Sequence, residues 1–256
     1  MFYPEIMSPI KMKNKILFIA VTFVIATMII TPIILSNRPQ PTSENKKACL
    51  SLTFDDGLES HYTKVLPLLQ QYNYQATFFV STNPQQESSR EVITDQQIKS
   101  LIENGNEIGS HTVNHLYLTS LDEKELETEL SESKRILEEK FGIEVRSLAL
   151  PYGDYNERVL EKAKKHYLTA RTIFDNDNKF LIKGLALTRD TKPESICESI
   201  QLAKDNNSWL VLILHDITYT PKIWDTSTED FTKILDCINK AEIEVDTLWN
   251  CKRRLP

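Results

Sequence analysis

From residue 48 onward, strand-like and helix-like patterns alternate, and this alternation constrains the fold more than any other feature of the chain. Two runs, ATFFV at 76–80 and WLVLIL at 209–214, are nearly continuously apolar, interrupted only by Thr77. A strand with one wet face alternates apolar and polar residues; a nearly continuous apolar strand is covered on both faces, as in parallel sheets flanked by helices. Helical spacing appears over 62–72 (Val65, Leu66, Leu69, Tyr72), over 94–103 with Thr94 or Asp95 as cap and Gly105 as stop, and over 121–141 with Gly142 just beyond. Further helices are read at 156–166, 193–205 and 228–241, and further strands at 50–54, 107–109, 145–150, 168–173, 185–188 and 244–247. Repeated βα units imply parallel strands with right-handed crossovers, in an α/β barrel or an open doubly wound sheet. Either fold gathers functional groups at the C-terminal ends of its strands. That places TFDDG (53–57), GSHTVNH (109–115), LPYGDYN (150–156) and LHD (214–216) around one rim.

The N-terminus reads differently. Residues 16–35 carry no charge and match the roughly 20 residues needed to cross a bilayer core. Lys11, Lys13 and Lys15 precede them, which by the positive-inside tendency keeps 1–15 cytoplasmic. The expectation is an uncleaved transmembrane signal anchor at 16–35, a polar tether at 36–47 and an extracytoplasmic domain over 48–256. A cleaved signal peptide and a secreted protein form the competing reading, although the run is long and lacks a small-x-small site. Hydrophobic residues at 41% and charged residues at 26% are ordinary for a globular domain. The net charge of −6 argues against nucleic acid as a partner. Cys49, Cys197, Cys237 and Cys251 form no CxxC pair, which argues against a cysteine zinc site. Outside a membrane, disulfides are permitted; Cys237 with Cys251 is the pairing suggested by their shared terminal segment, with buried free thiols as the alternative. Asn206-Asn207-Ser208 fits the glycosylation pattern.

The strand at 50–54 ends on two adjacent carboxylates, Asp55 and Asp56. Alone, DDG reads as a turn. His111 and His115 stand four apart, a spacing that faces one side of a helical turn and lets two imidazoles bind one metal ion. One aspartate with two histidines makes three ligands and leaves a position open, the count of a catalytic rather than a structural site. The second aspartate can then stay free as a general base, and the ion's charge offsets the repulsion between the carboxylates. His215, directly after an apolar strand, is a candidate general acid or a strand-end histidine held by Asp216. Tyr152 can offer its backbone N–H to a developing oxyanion. His61 and His166 lie in helix patterns without a partner motif and are expected to be solvent-exposed.

In this order and spacing, TFDDG, HTVNH, PYG and LHD, with ATFFV after the first, resemble the polysaccharide deacetylases, the NodB-homology domains of carbohydrate esterase family four. The resemblance covers residues 48–250. It implies a distorted (β/α) barrel with an incomplete ring of strands and a divalent metal ion, commonly Zn2+. It implies Asp55 as catalytic base, Asp56, His111 and His115 as metal ligands, His215 as general acid and the Tyr152 backbone as oxyanion donor. One departure stands out. The family's third motif often carries an arginine two residues before the Pro-Tyr-Gly, where it steadies the base; here that position is Ala149. Arg189, in LALTRD, is the residue expected to reach the site instead, with Asp190 as a possible orienter of His215. The implied activity is metal-dependent removal of acetyl groups from N-acetylglucosamine-type glycans at the cell envelope. An O-acetyl polysaccharide esterase and a catalytically weak metal- and glycan-binding module are the alternatives.

Overall fold

The computed structural model describes residues 48–84 and 90–254; the cytoplasmic segment, anchor and tether read over 1–47 lie outside the described residues. Lys46–Pro256 forms one unit. Its first strand, β1 (Cys49–Phe54), shows how the sequence builds the barrel. Leu50, Leu52 and Phe54 pack into the main core with helix residues such as Val65, Leu69 and Phe231. Alternation sends Ser51, Thr53 and then Asp55 to the other face. That second face is the barrel lumen, packed with Phe79, Ala149, Ile182, Val211 and Leu248.

The other strands are β2 (Thr77–Val80), β3 (Glu107–Ser110), β4 (Ser147–Ala149), β5 (Thr169–Thr172), β6 (Leu181–Lys183), β7 (Leu185–Ala186) and β8 (Trp209–Leu214). They pair in parallel in the order β6-β5-β4-β3-β2-β1-β8-β7. The two edge strands, β6 and β7, are separated in the chain only by Gly184. The chain therefore bridges the gap in the ring at that one residue. A Cβ on Gly184 would sit 2.6 Å from the Ile213 side chain, so glycine is what lets the backbone pass there. The ring is nearly closed and incomplete, as the resemblance implied.

The helices are α1 (Leu66–Tyr72), preceded by a π-helical turn at His61–Val65, then α2 (Asp95–Glu103), α3 (Glu123–Phe141), α4 (Glu157–His166), α5 (Pro193–Asp205), α6 (Thr228–Ala241) and α7 (Leu248–Arg254). Thr94 and Gln97 form a capping box on α2, and Asp122 and Glu125 form one on α3. Gly142 ends α3 in the left-handed conformation. Two short pieces escape periodicity: the pair β9 (Ile217–Thr218) and β10 (Thr226–Ser227), and β6 itself. The last strand, β11 (Glu244–Val245), is only two residues long and leads into α7, which the sequence pattern missed. Leu248 of α7 enters the lumen and closes its N-terminal end.

The cysteine pairing differs from the one suggested. Cys49 bonds Cys251, joining β1 to α7, and Cys197 bonds Cys237, joining α5 to α6. Closeness in sequence misled here, because β11 and α7 fold back beside β1.

Candidate metal centre and catalytic rim

Asp55 and Asp56 part company at the end of β1. Asp55 continues the lumen row, its N–H donating to the Leu214 carbonyl at 2.9 Å. Asp56 leaves the strand with φ 73°, followed by Gly57 at φ 62°. In a regular strand its side chain would enter the helix layer; the left-handed turn sends it along the rim. Thr112, His115 and Tyr152 also have positive φ, at 66°, 55° and 59°. Such conformations cost on the order of 1–3 kcal/mol each and persist where surrounding structure holds them, often at functional sites.

The chain from His111 to His115 is an irregular loop, not the helical turn their spacing suggested. Its shape comes from α3. Buried Glu129 accepts hydrogen bonds from the Val113 and Asn114 N–H groups at 2.9 and 2.8 Å and from the Asn114 side-chain amide. Ser110 Oγ accepts the Thr112 N–H, and Thr112 Oγ1 accepts the His115 N–H. The two imidazole centroids end 4.6 Å apart.

Asp56 Oδ1 lies 3.5 Å from His111 Nε2 and 3.6 Å from His115 Nε2. A tetrahedral ion with bonds of about 2.0–2.1 Å spaces its ligand atoms by about 3.3–3.4 Å, so the set fits a divalent ion such as Zn2+. The Ala149 carbonyl lies 2.9 Å from His111 Nδ1. A carbonyl only accepts, so this contact places a proton on Nδ1 and leaves Nε2 to face Asp56 as a ligand does. The electrostatics agree. Burial pushes the Asp56 carboxyl up, but hydrogen bonding and the charges of His111, His215 and His115 outweigh it and hold it well below the usual range. His115 is pulled down to about 4 by burial and by the neighbouring His111, which favours the neutral ring. Burial lowers His111 too, yet the hydrogen bond to Asp56 and the charges of Asp55 and Asp56 leave it raised. The pocket attracts positive charge, and a metal ion binding there would displace that proton.

Asp55 is buried, at 4% exposure. Its Oδ2 accepts from Arg171 Nη2 at 2.5 Å, while Oδ1 has no hydrogen-bond partner among the described residues. Burial pushes this carboxyl up, and Arg171, then His111 and His215, outweigh it and hold it ionised. Arg171 is the residue the sequence reading missed. It sits mid-strand in β5, paired in register with Ala149 of β4. The small alanine stands where the family's arginine would be, and the guanidinium comes from the adjacent strand at the same level. Arg171 Cζ lies 5.2 Å from the Phe79 ring centroid, in a cation–π contact. Phe79 in turn lies over Gly109, where a Cβ would come within 2.4 Å of the ring. The missed signal was a lone charge in a buried strand of small residues, TART at 169–172.

Arg189 and Asp190 lie elsewhere. Their side chains are 52% and 80% exposed, and Arg189 Nε faces Asp190 Oδ1 at 3.8 Å. Among the described residues neither contacts Asp55, whose cation is Arg171, and Asp190 does not meet His215. His215 Nε2 lies 3.9 Å from Asp55 Oδ2, and its ring centroid is 6.1 Å from that of Trp224. Tyr152 occupies the turn Pro151–Gly153 after β4. Its ring stacks on Tyr117 at 3.9 Å and meets His115 edge-on at 4.7 Å. Two further histidines depart from expectation. His61 is fully buried between Phe54 and Phe78, because the opening turn of its helix presses against β1 and β2. His166 is partly covered and hydrogen-bonds Glu127 at 2.7 Å.

A rim carrying an Asp-His-His triad that could hold a metal ion, beside a buried aspartate and a strand-end histidine, has the composition of a hydrolytic site. Residues 42–170 match the family model described as polysaccharide deacetylase, and the chain belongs to that family. It is 35% identical over 127 residues to a peptidoglycan-N-acetylglucosamine deacetylase of Bacillus cereus, covering 47% of this chain and 54% of that protein. It is 23% identical over 222 residues to chitin deacetylase 1 of Cryptococcus neoformans, covering 78% and 46%. The chain thus spans about half the length of these curated relatives. Among solved structures, the Xyl-CE4 domain of a multidomain xylanase from the hindgut metagenome of Trinervitermes trinervoides superposes with a TM-score of 0.59 at 19% identity, covering 81% of this chain and 91% of that one. This last likeness concerns the fold.

Proposed function

We propose that this protein hydrolyses the acetamido groups of N-acetylglucosamine-type polysaccharide, releasing acetate and leaving free amines on the glycan. The observation that carries the reading is the placement of an ionised, buried Asp55 between Arg171, His215 and the Asp56-His111-His115 triad. A divalent ion on the triad would supply Lewis-acid polarisation of the acetyl carbonyl and a lowered pKa for water. Asp55 takes the proton of the attacking water. The Tyr152 N–H donates to the oxyanion as the carbonyl carbon becomes tetrahedral; one such donor is worth about 10²–10³ in rate. His215 gives its Nε2 proton to the nitrogen as the C–N bond breaks, so one water is consumed for each acetate and amine formed. The names of the bacterial and fungal relatives support an N-acetylated glycan as substrate. In this reading residues 16–35 anchor the chain in the membrane with the catalytic unit outside, beside the envelope glycans.

The test is acetate release from N-acetylglucosamine oligomers and from acetylated xylan, with and without added Zn2+. Zinc-dependent release from the oligomers supports the reading. Release from xylan alone would favour an O-acetyl esterase, and metal binding without release from either would leave a glycan-binding module.

A further inference from the structure

We infer that His61 positions His215 as the general acid, an inference that rests on the deacetylase reading. His61 is 0% exposed, and its Nε2 lies 3.0 Å from the His215 carbonyl oxygen. That oxygen only accepts, so His61 donates from Nε2. Its Nδ1 is buried without a hydrogen-bond partner among the described residues. An apolar side chain would fill the space between Phe54 and Phe78 without that desolvation cost. What the imidazole supplies in return is one directed bond to the backbone of His215.

His215 needs such support. Its own Nδ1 is buried and has no hydrogen-bond partner among the described residues. The usual device for orienting a catalytic histidine, an acceptor on its far nitrogen, is therefore lacking, and Asp190 does not provide it. The backbone does the orienting instead. The Leu214 carbonyl accepts from the Asp55 N–H at 2.9 Å, and the Asp216 carbonyl accepts from the Thr226 N–H at 3.0 Å. His61 holds the carbonyl between them. Three consecutive carbonyls are thus fixed by three separate elements, and the middle one belongs to the acid itself.

The test compares two leaving groups at one site. An N-acetylglucosamine oligomer loses an amine that must be protonated as it departs; 4-nitrophenyl acetate loses a phenolate that needs no proton. The ester rate counted is the part that Asp55→Asn removes. His61→Leu is expected to lower the amide-to-ester turnover ratio about tenfold or more, toward the value for His215→Ala, because general acid catalysis contributes about 10²–10⁴. His61→Gln, which can donate from a similar place, is expected to keep the parent ratio. Thermal midpoint and bound zinc are measured alongside. If His61→Leu does not fold, His61→Asn, polar but too short to reach the carbonyl, carries the same expectation. An unchanged ratio with either short-reaching variant would overturn the inference and make His61 a packing residue. A His215→Ala ratio equal to the parent's would remove the acid role from His215, and this inference with it.

Discussion

At the scale of single residues, the site depends on charges that are buried and matched. Arg171 and Asp55 are 3% and 6% exposed at their side chains. Removing one partner of such a pair strands the other and costs about 3–5 kcal/mol, while neutralising both costs far less. In metal-free protein, Arg171→Met should lose stability on that scale, and adding Asp55→Asn should restore most of it. Urea unfolding of the four proteins reads the coupling directly; additive losses would mean the pair is not matched as described. His61 provides a pH signature. Burial lowers it to about 4, against about 6.5 in an unfolded chain. Between these values the unfolded chain binds a proton that the folded one refuses. The stability contributed is complete above pH 6.5 and falls as pH drops toward 4, by about 3 kcal/mol at ~1.4 kcal/mol per pH unit. The stability gap between parent and His61→Gln should shift in the variant's favour by that order between pH 7.5 and 4.5; a constant gap would place the imidazole in contact with water.

At the scale of elements, strand ends were legible and side-chain partners across the lumen were not. The nearly continuous apolar runs identified β2 and β8, and turn residues marked where each motif stops. The spacing of His111 and His115 correctly brought them together, though for the wrong reason. A helical turn and this loop both juxtapose residues four apart, and only Glu129, reaching from α3, decides between them. Nothing local to GSHTVNH announces that carboxylate, which looks like one more charge on an amphipathic helix. Glu129→Ala should leave α3 intact yet loosen the loop, weakening zinc binding by about 10–100-fold, as loss of a ligand's supporting bonds does elsewhere. A competition titration against a chelator measures it, and an unchanged affinity would show that the loop holds its shape unaided. Arg171 was hidden for the same reason. It is far from Asp55 in sequence, and only the register of β4 with β5 shows that it replaces an arginine at position 149.

At the scale of the molecule, the eight-strand path brings four separated motifs to one rim, which is why their order alone could point to the family. What the pattern could not supply were the features set by closure: Gly184 at the gap, α7 in the lumen and both disulfides. These depend on which ends of the chain meet, and periodicity carries no such information. The fold also parts the two adjacent aspartates, since Asp55 stays in the lumen row while Asp56 turns out along the rim, and the proposed roles of base and ligand require that separation. The most direct measurement of that separation is bound zinc and acetate release together, in the parent, Asp55→Asn and Asp56→Ala. Asp55→Asn should keep the parent's zinc stoichiometry and lose nearly all turnover, whereas Asp56→Ala should lose both. Loss of zinc from Asp55→Asn with retention in Asp56→Ala would contradict the assignment of base and ligand.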